Sequence, residues 1–168
     1  SQIPSGAIIN SATLNLYYKE KSAADPVGRT YYCYRLTQTD WVEGTGGDSG
    51  VNGQTGSSDW FCRQHNTLLW SSYGGTYDTT NGSSTTVPSS YGWMSWTVTA
   101  QVQYAVNYVS RVAHFVIKDG TEDSTTQYSA TFHSDHYTGD LSRRPKLEVT
   151  WTSNTAPTND QLSLDLTG

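Results

Sequence analysis

The sequence predicts an all-β fold: an antiparallel β-sandwich of the jelly-roll kind with one short helix. Two observations carry that expectation. Short runs of alternating apolar and polar residues recur along the chain with turn residues between them, and only one stretch shows helical spacing. A length of 168 residues suits a single domain of this size.

The elements follow in order. In Ala12–Tyr18, Ala12, Leu14 and Leu16 share one face while Thr13, Asn15 and Tyr17 share the other, the pattern of a half-buried antiparallel strand. The segment Ala24–Gly28, with Pro26, reads as a loop. Arg29–Thr37 alternates again, with Tyr31, Cys33 and Arg35 on one face and Tyr32, Tyr34 and Leu36 on the other. A glycine-rich loop without periodicity runs from Gly44 to Gly56, and Asp59–Cys62 fits a short strand. Turn residues dominate His65–Tyr91, with Gly74-Gly75 and Asn81-Gly82 as the turn markers. Trp93–Val98 alternates. Thr99 is then placed to cap a helix over Ala100–Val109, where Val102, Ala105, Val106 and Val109 recur at helical spacing. His114–Ile117, Tyr128–His133 and Leu147–Thr152 read as three further strands, the last opened by Pro145. Residues 1–152 are thus one domain. Residues 153–160 read as a polar linker, and 161–168, with Leu162, Leu164 and Leu166 alternating, as the start of a following domain or a strand given to a partner.

Composition narrows the functional classes. Charged residues make up 15 %, well below the roughly 25 % of an average soluble domain, and the polar positions are filled by Ser, Thr, Asn and Tyr. That surface suits an extracellular, cell-surface or virion protein. A net charge of −5 gives no electrostatic route to nucleic acid, and no run approaches the ~20 apolar residues of a membrane span. Two readings stand for Cys33 and Cys62. One is a disulfide, contributing about 3–4 kcal/mol if unstrained; the other is two buried free thiols. The extracellular composition favours the bridge.

Several segments, in order, resemble the DNRLRE domain (the disaggregatase-related repeat). Ile3-Pro4-Ser5-Gly6-Ala7-Ile8-Ile9-Asn10-Ser11-Ala12-Thr13-Leu14 is similar to its "IPxGAxIxSAxL" segment, and Trp41-Val42-Glu43-Gly44 to its "WxEG". Trp60, Trp70 and Gly74-Gly75-Thr76-Tyr77-Asp78 resemble "ATWN…W…GGDYD", and Trp96-Thr97-Val98-Thr99 resembles "WDVT". Phe132-His133-Ser134-Asp135 with Arg144-Pro145-Lys146-Leu147-Glu148-Val149-Thr150 resembles the closing "RPKLxVTY" region. The resemblance implies a non-catalytic jelly roll, like a carbohydrate-binding module, from a large secreted, surface or phage protein. It also implies strands before the "IPxGA" segment, so a truncated domain or strands supplied from elsewhere are expected. Thr97 replaces the family's Asp, and Cys33 and Cys62 are not a general family feature.

No constellation of catalytic residues stands out. Glu43, Asp78 and Asp135 are not set apart by spacing as a glycosidase pair, and no Gly-x-Ser-x-Gly elbow occurs. His133-Ser134-Asp135-His136 has zinc-binding residue types, but residues three apart on a strand point to opposite faces. No cofactor is expected except a calcium ion at the acidic turn of Asp119, Glu122 and Asp123, for which a solvated hairpin loop is the plainer reading. Asn81-Gly82-Ser83 is an N-glycosylation sequon in an expected turn. Trp70, Tyr73 and Tyr77 lie in turn-rich sequence and are expected to be exposed as contacts for a glycan or a neighbouring subunit, whereas most of Trp41, Trp60, Trp93, Trp96 and Trp151 are expected in the core. The sequence therefore favours a non-catalytic structural module of a surface layer, filament or fibre, as a homo-oligomer or polymer. The alternative is a carbohydrate-binding accessory module of a secreted enzyme or adhesin.

Overall fold

The structure, a computed structural model, describes residues 3–22, 24–43, 57–108, 111–122 and 125–154. The expected loop over 44–56, Val109 at the helix end, Asp123, most of the 153–160 linker and the 161–168 strand lie outside these residues.

The alternating segments become the strands of an antiparallel β-sandwich. A single long strand organises the first sheet: β1 (Ile8–Lys21) pairs with β6 (Gly92–Thr97) through residues 13–18. Its opposite edge is shared by two strands, β9 (Lys146–Thr152) along residues 8–15 and β8 (Ala130–Phe132) along 18–21. The second sheet is ordered β5 (Tyr77–Thr86), β2 (Thr30–Leu36), β7 (Phe115–Asp119). A small two-stranded hairpin, β3 (Cys62–Gln64) with β4 (Leu68–Leu69), stands apart from both.

Period-2 alternation decides what the sandwich encloses. Tyr31 and Cys33 of β2 face inward with Met94 and Trp96 of β6, Ala12 and Tyr18 of β1, and Val87. Trp96 is fully buried, and its indole N–H donates to the Tyr31 carbonyl at 2.9 Å, from one sheet to the other. The Tyr31 hydroxyl accepts from the Ala130 N–H at 3.1 Å. One residue of β2 thus holds two strands of the opposing sheet.

The helix α1 (Thr99–Asn107) closes one end of the sandwich, burying Val102, Ala105 and Val106. Its polar residues stitch it in place. The Gln103 amide accepts from the Ile9 N–H (2.8 Å) and donates to the Ala7 carbonyl (3.0 Å), while Gln101 donates to the Cys33 carbonyl (3.4 Å). Thr99 does not cap it as expected. Val98 is the cap residue, and the Thr99 hydroxyl accepts from the Ala12 N–H instead (3.0 Å), so the sheet takes the group that would have capped the helix. Among the described residues, no helix is long and apolar enough to cross a membrane.

Two expectations are corrected by the strand layout. Cys33 and Cys62 are both free and buried, and no bridge joins them. Cys33 points into the sandwich from β2, while Cys62 belongs to the separate hairpin. Asn81-Gly82 is not a turn but lies inside β5, where that strand bulges. Cys33 pairs with Ser83 and Arg35 with Asp78, so Tyr34 alone faces the extra residues of β5.

Replacing Trp96 separates its two contributions. Trp96→Phe removes the hydrogen bond from one sheet to the Tyr31 carbonyl of the other and is expected to cost about 0.5–1.5 kcal/mol. Trp96→Ala adds a cavity and is expected to cost about 3–5 kcal/mol. Equal denaturation midpoints for Trp96→Phe and the unaltered protein would refute the inter-sheet bond. Burial also pushes the Cys33 thiol up to about 12. At neutral pH, alkylating reagents should therefore leave Cys33 unmodified in the folded protein and label it in denaturant without any reductant; mass spectrometry reads both states.

Candidate functional site

With Tyr31 and Cys33 facing in, Tyr32, Tyr34 and Leu36 must face out, and their β7 neighbours Val116 and Lys118 face out beside them. This outward face is not left bare. The segment from Ser57 to Thr76, which carries the β3–β4 hairpin, lies over part of it and buries Leu36 and Trp70.

Trp70 is therefore an anchor, not the exposed contact expected. It is 8 % exposed, and its indole N–H donates to the Asp59 carbonyl at 2.9 Å. Tyr73 is exposed at 62 % and packs edge-on against the exposed Phe61. Tyr77 is half-buried in a stack in which Tyr32 lies on Tyr34 (5.6 Å) and Tyr34 on Tyr77 (4.7 Å). Gly82 in the β5 bulge makes room for the stack, since a Cβ there would fall 2.1 Å from the Tyr34 ring.

Trp60, one of the five tryptophans most of which were expected in the core, is instead half-exposed at 50 %. It stands between two adjoining depressions. The first, of about 340 Å³, is walled by Trp41, Trp70, Val116 and Lys118. The second, of about 360 Å³, is walled by Arg29, Asp119, Thr121, Gln127 and Tyr128. Trp60 and Glu122 line both. The ring is seated on backbone: Gly74 N–H donates to the Trp60 carbonyl at 2.7 Å, and a Cβ on Gly74 would fall 2.7 Å from two ring carbons.

The charges around Trp60 are paired. Lys118 bonds Glu122 at 2.8 Å and lies 4.7 Å above the Tyr77 ring and 5.6 Å from the Trp60 ring. Burial works against the Lys118 ammonium, but Glu122 and Tyr77 outweigh it and hold its pKa above the ordinary lysine value. Arg29 bonds Asp119 at 2.5 Å, donates to the Thr121 carbonyl at 2.6 Å and covers the Tyr128 ring at 4.5 Å. Asp119 and Glu122, named above for calcium, thus each hold a cation of the protein.

Metal-capable clusters occur elsewhere among the described residues. Asp59, Cys62 and His65 form one, and the exposed Glu43, Asp135 and His136 form another. His133 stands apart from the second, stacked on Tyr137 at 3.7 Å. Asn81 of the sequon is exposed on β5.

The sequence matches no protein-family model, and neither a curated protein nor a solved structure matches it.

The platform had a partial sequence signal. The alternation of Arg29–Thr37 already set Tyr32 and Tyr34 opposite Cys33; only Trp60, Lys118 and Arg29 had none, because they meet through tertiary packing. Gly74 makes a direct test. Its φ is +77°, so Gly74→Ala is expected to cost about 1–2 kcal/mol from the left-handed backbone alone and to displace the Trp60 ring. A thermal melt and the Trp60 indole N–H resonance read the two effects, and an unshifted resonance would refute the seating.

Proposed function

We propose that this chain is a non-catalytic glycan-binding module of an extracellular or surface protein, and that it holds a neutral oligosaccharide across Trp60. The observation that carries the reading is the half-exposed indole set between two depressions, each edged by hydrogen-bonding groups. A pyranose presents an apolar face that stacks on an indole and hydroxyls that need donors and acceptors around it. Glu122, Asp119, Thr121 and Gln127 supply these. The ion pairs of Asp119 and Glu122 support a binding role, since a carboxylate bonded to Arg29 or Lys118 still accepts a hydrogen bond from a sugar hydroxyl. Among the described residues that line the two depressions, the cations Arg29 and Lys118 are each paired with a carboxylate, which favours a neutral sugar over an acidic one. The motif order resembling the DNRLRE domain supports the same class of module.

A second reading, a building block of a surface assembly, is favoured by the outer face of the other sheet. There the exposed Trp93 packs on Tyr17 at 5.3 Å, with Lys146 over Trp93 at 4.7 Å and Arg143 over Tyr17 at 4.8 Å. Such a patch suits a contact with another subunit.

Titration against a panel of neutral polysaccharides decides. Trp60→Ala is expected to weaken binding by roughly 1–3 kcal/mol, by analogy with bases stacked on aromatic side chains, at an unchanged melting temperature. Trp93→Ala should leave glycan affinity intact. Absence of binding across the panel, together with concentration-dependent assembly lost in Trp93→Ala, would replace the first reading by the second.

A further inference from the structure

We propose that Asp59, Cys62 and His65 form a binding site for a zinc-class transition-metal ion that staples the β3–β4 hairpin. The proposal stands apart from the glycan reading, because it concerns the hairpin itself and not the surface of Trp60.

Three donors of different chemistry converge. A carboxylate oxygen of Asp59, the sulfur of Cys62 and a ring nitrogen of His65 all lie within 4.8 Å of one another. They come from one short run at intervals of three residues, and the backbone holds them there. The Asp59 N–H donates to the Cys62 carbonyl, the His65 N–H to the Ser57 carbonyl, and the Cys62 N–H to the Asp59 carboxylate, each at 2.7 Å. His65 Nδ1 is bonded to the other carboxylate oxygen of Asp59. Donors around a tetrahedral zinc ion stand roughly 3.3–3.8 Å apart, given bonds of about 2.0–2.3 Å. Small side-chain rotations bring the three donors to those separations, with the ion replacing the proton between His65 and Asp59.

The donor set selects the ion. Thiolate and imidazole favour zinc and its transition-metal neighbours and disfavour calcium and magnesium, which take oxygen. Three protein donors leave a fourth place for water or another ligand. Cys62 is suited to the role because it is buried, free of any disulfide and far from the fate of Cys33, which is enclosed in the sandwich core.

The hairpin also has a structural need for such a cross-link. Its strands are only three and two residues long, and Trp60, Phe61 and Leu69 point their apolar surface to solvent. Two-stranded hairpins are marginal in water, and small units lacking a core of their own commonly rely on a metal or disulfide.

The test uses the full chain, reduced and stripped with chelator, and the metal alone. Cobalt(II) serves as the coloured stand-in for zinc. The expected result is one equivalent bound, a thiolate-to-cobalt charge-transfer band in the near ultraviolet, displacement of that band by zinc, and a melting temperature raised by zinc. Cys62→Ser should abolish the band although Cys33 remains. His65→Gln should weaken zinc binding by roughly tenfold or more while keeping the thiol. Should Cys62→Ser fail to fold, His65→Gln and Asp59→Asn carry the test. No charge-transfer band, or a band and affinity unchanged in the variants that fold, would overturn the proposal and leave the glycan titration unaffected.

Discussion

Everything outside the core depends on how Tyr31 is held inside it. Its carbonyl takes the Trp96 indole N–H and its hydroxyl takes the Ala130 N–H, so β2 is tied to two strands of the opposite sheet through one side chain and one backbone group. The first bond is buried and the second partly so, and a bond lost away from water is costly. A one-residue slip of β2 would break both and turn its tyrosines over. Because the slip is forbidden, Tyr32, Tyr34 and Leu36 have no choice but the outer face. The platform on which the candidate site is built is thus a consequence of the core, not an independent feature of the surface.

The layer over that platform divides two tryptophans by their neighbours, not by their chemistry. Trp70 follows the β4 strand and turns under the hairpin, where its N–H finds the Asp59 carbonyl and its ring helps cover Leu36. Trp60 precedes β3 and rests on Gly74, which offers backbone but no side chain to enclose it. One indole closes the hairpin and the other is left half in solvent.

The sandwich was legible because its strands alternate in sequence. Ala12–Tyr18, Arg29–Thr37 and Trp93–Val98 each show the period on their own, and the helix shows its own spacing. The β5 strand was not legible. After Tyr77 and Asp78, the strand to Thr86 is Thr, Ser, Asn and Gly with no apolar alternation, because it is an edge strand exposed over most of its length and bulged at Gly82. Asn81-Gly82 has the chemistry of a turn, yet sheet pairing with β2 prevails there. The disulfide expectation failed for a related reason. Composition speaks to redox compartment, whereas pairing depends on which layer each cysteine occupies, and Cys33 and Cys62 occupy different ones. Trp96 is buried and Trp151 packs on the core as expected, whereas Trp60 and Trp93 are exposed, because a place in or beside a strand does not distinguish an inner face from an outer one.

The charges near Trp60 explain why such a site would be selective without being reactive. Lys118 and Arg29 are each paired with a carboxylate, so among the described lining residues neither depression of the cleft presents a lone cation. An acidic sugar entering it would have to be desolvated with no free cation to meet it, whereas a neutral sugar exchanges water hydrogen bonds for those of Asp119, Glu122 and Gln127. The remaining cost is order. Any motion left in a hairpin of five strand residues would have to be immobilised by a ligand settling on Trp60, and that entropy would be subtracted from affinity. A cross-link through Asp59, Cys62 and His65 lies directly beside Trp60 in sequence and would remove that cost before any ligand arrives. Stacking and stapling are then separable in their chemistry but act on the same short segment, the first through Trp60 and the second through Asp59, Cys62 and His65 on either side of β3.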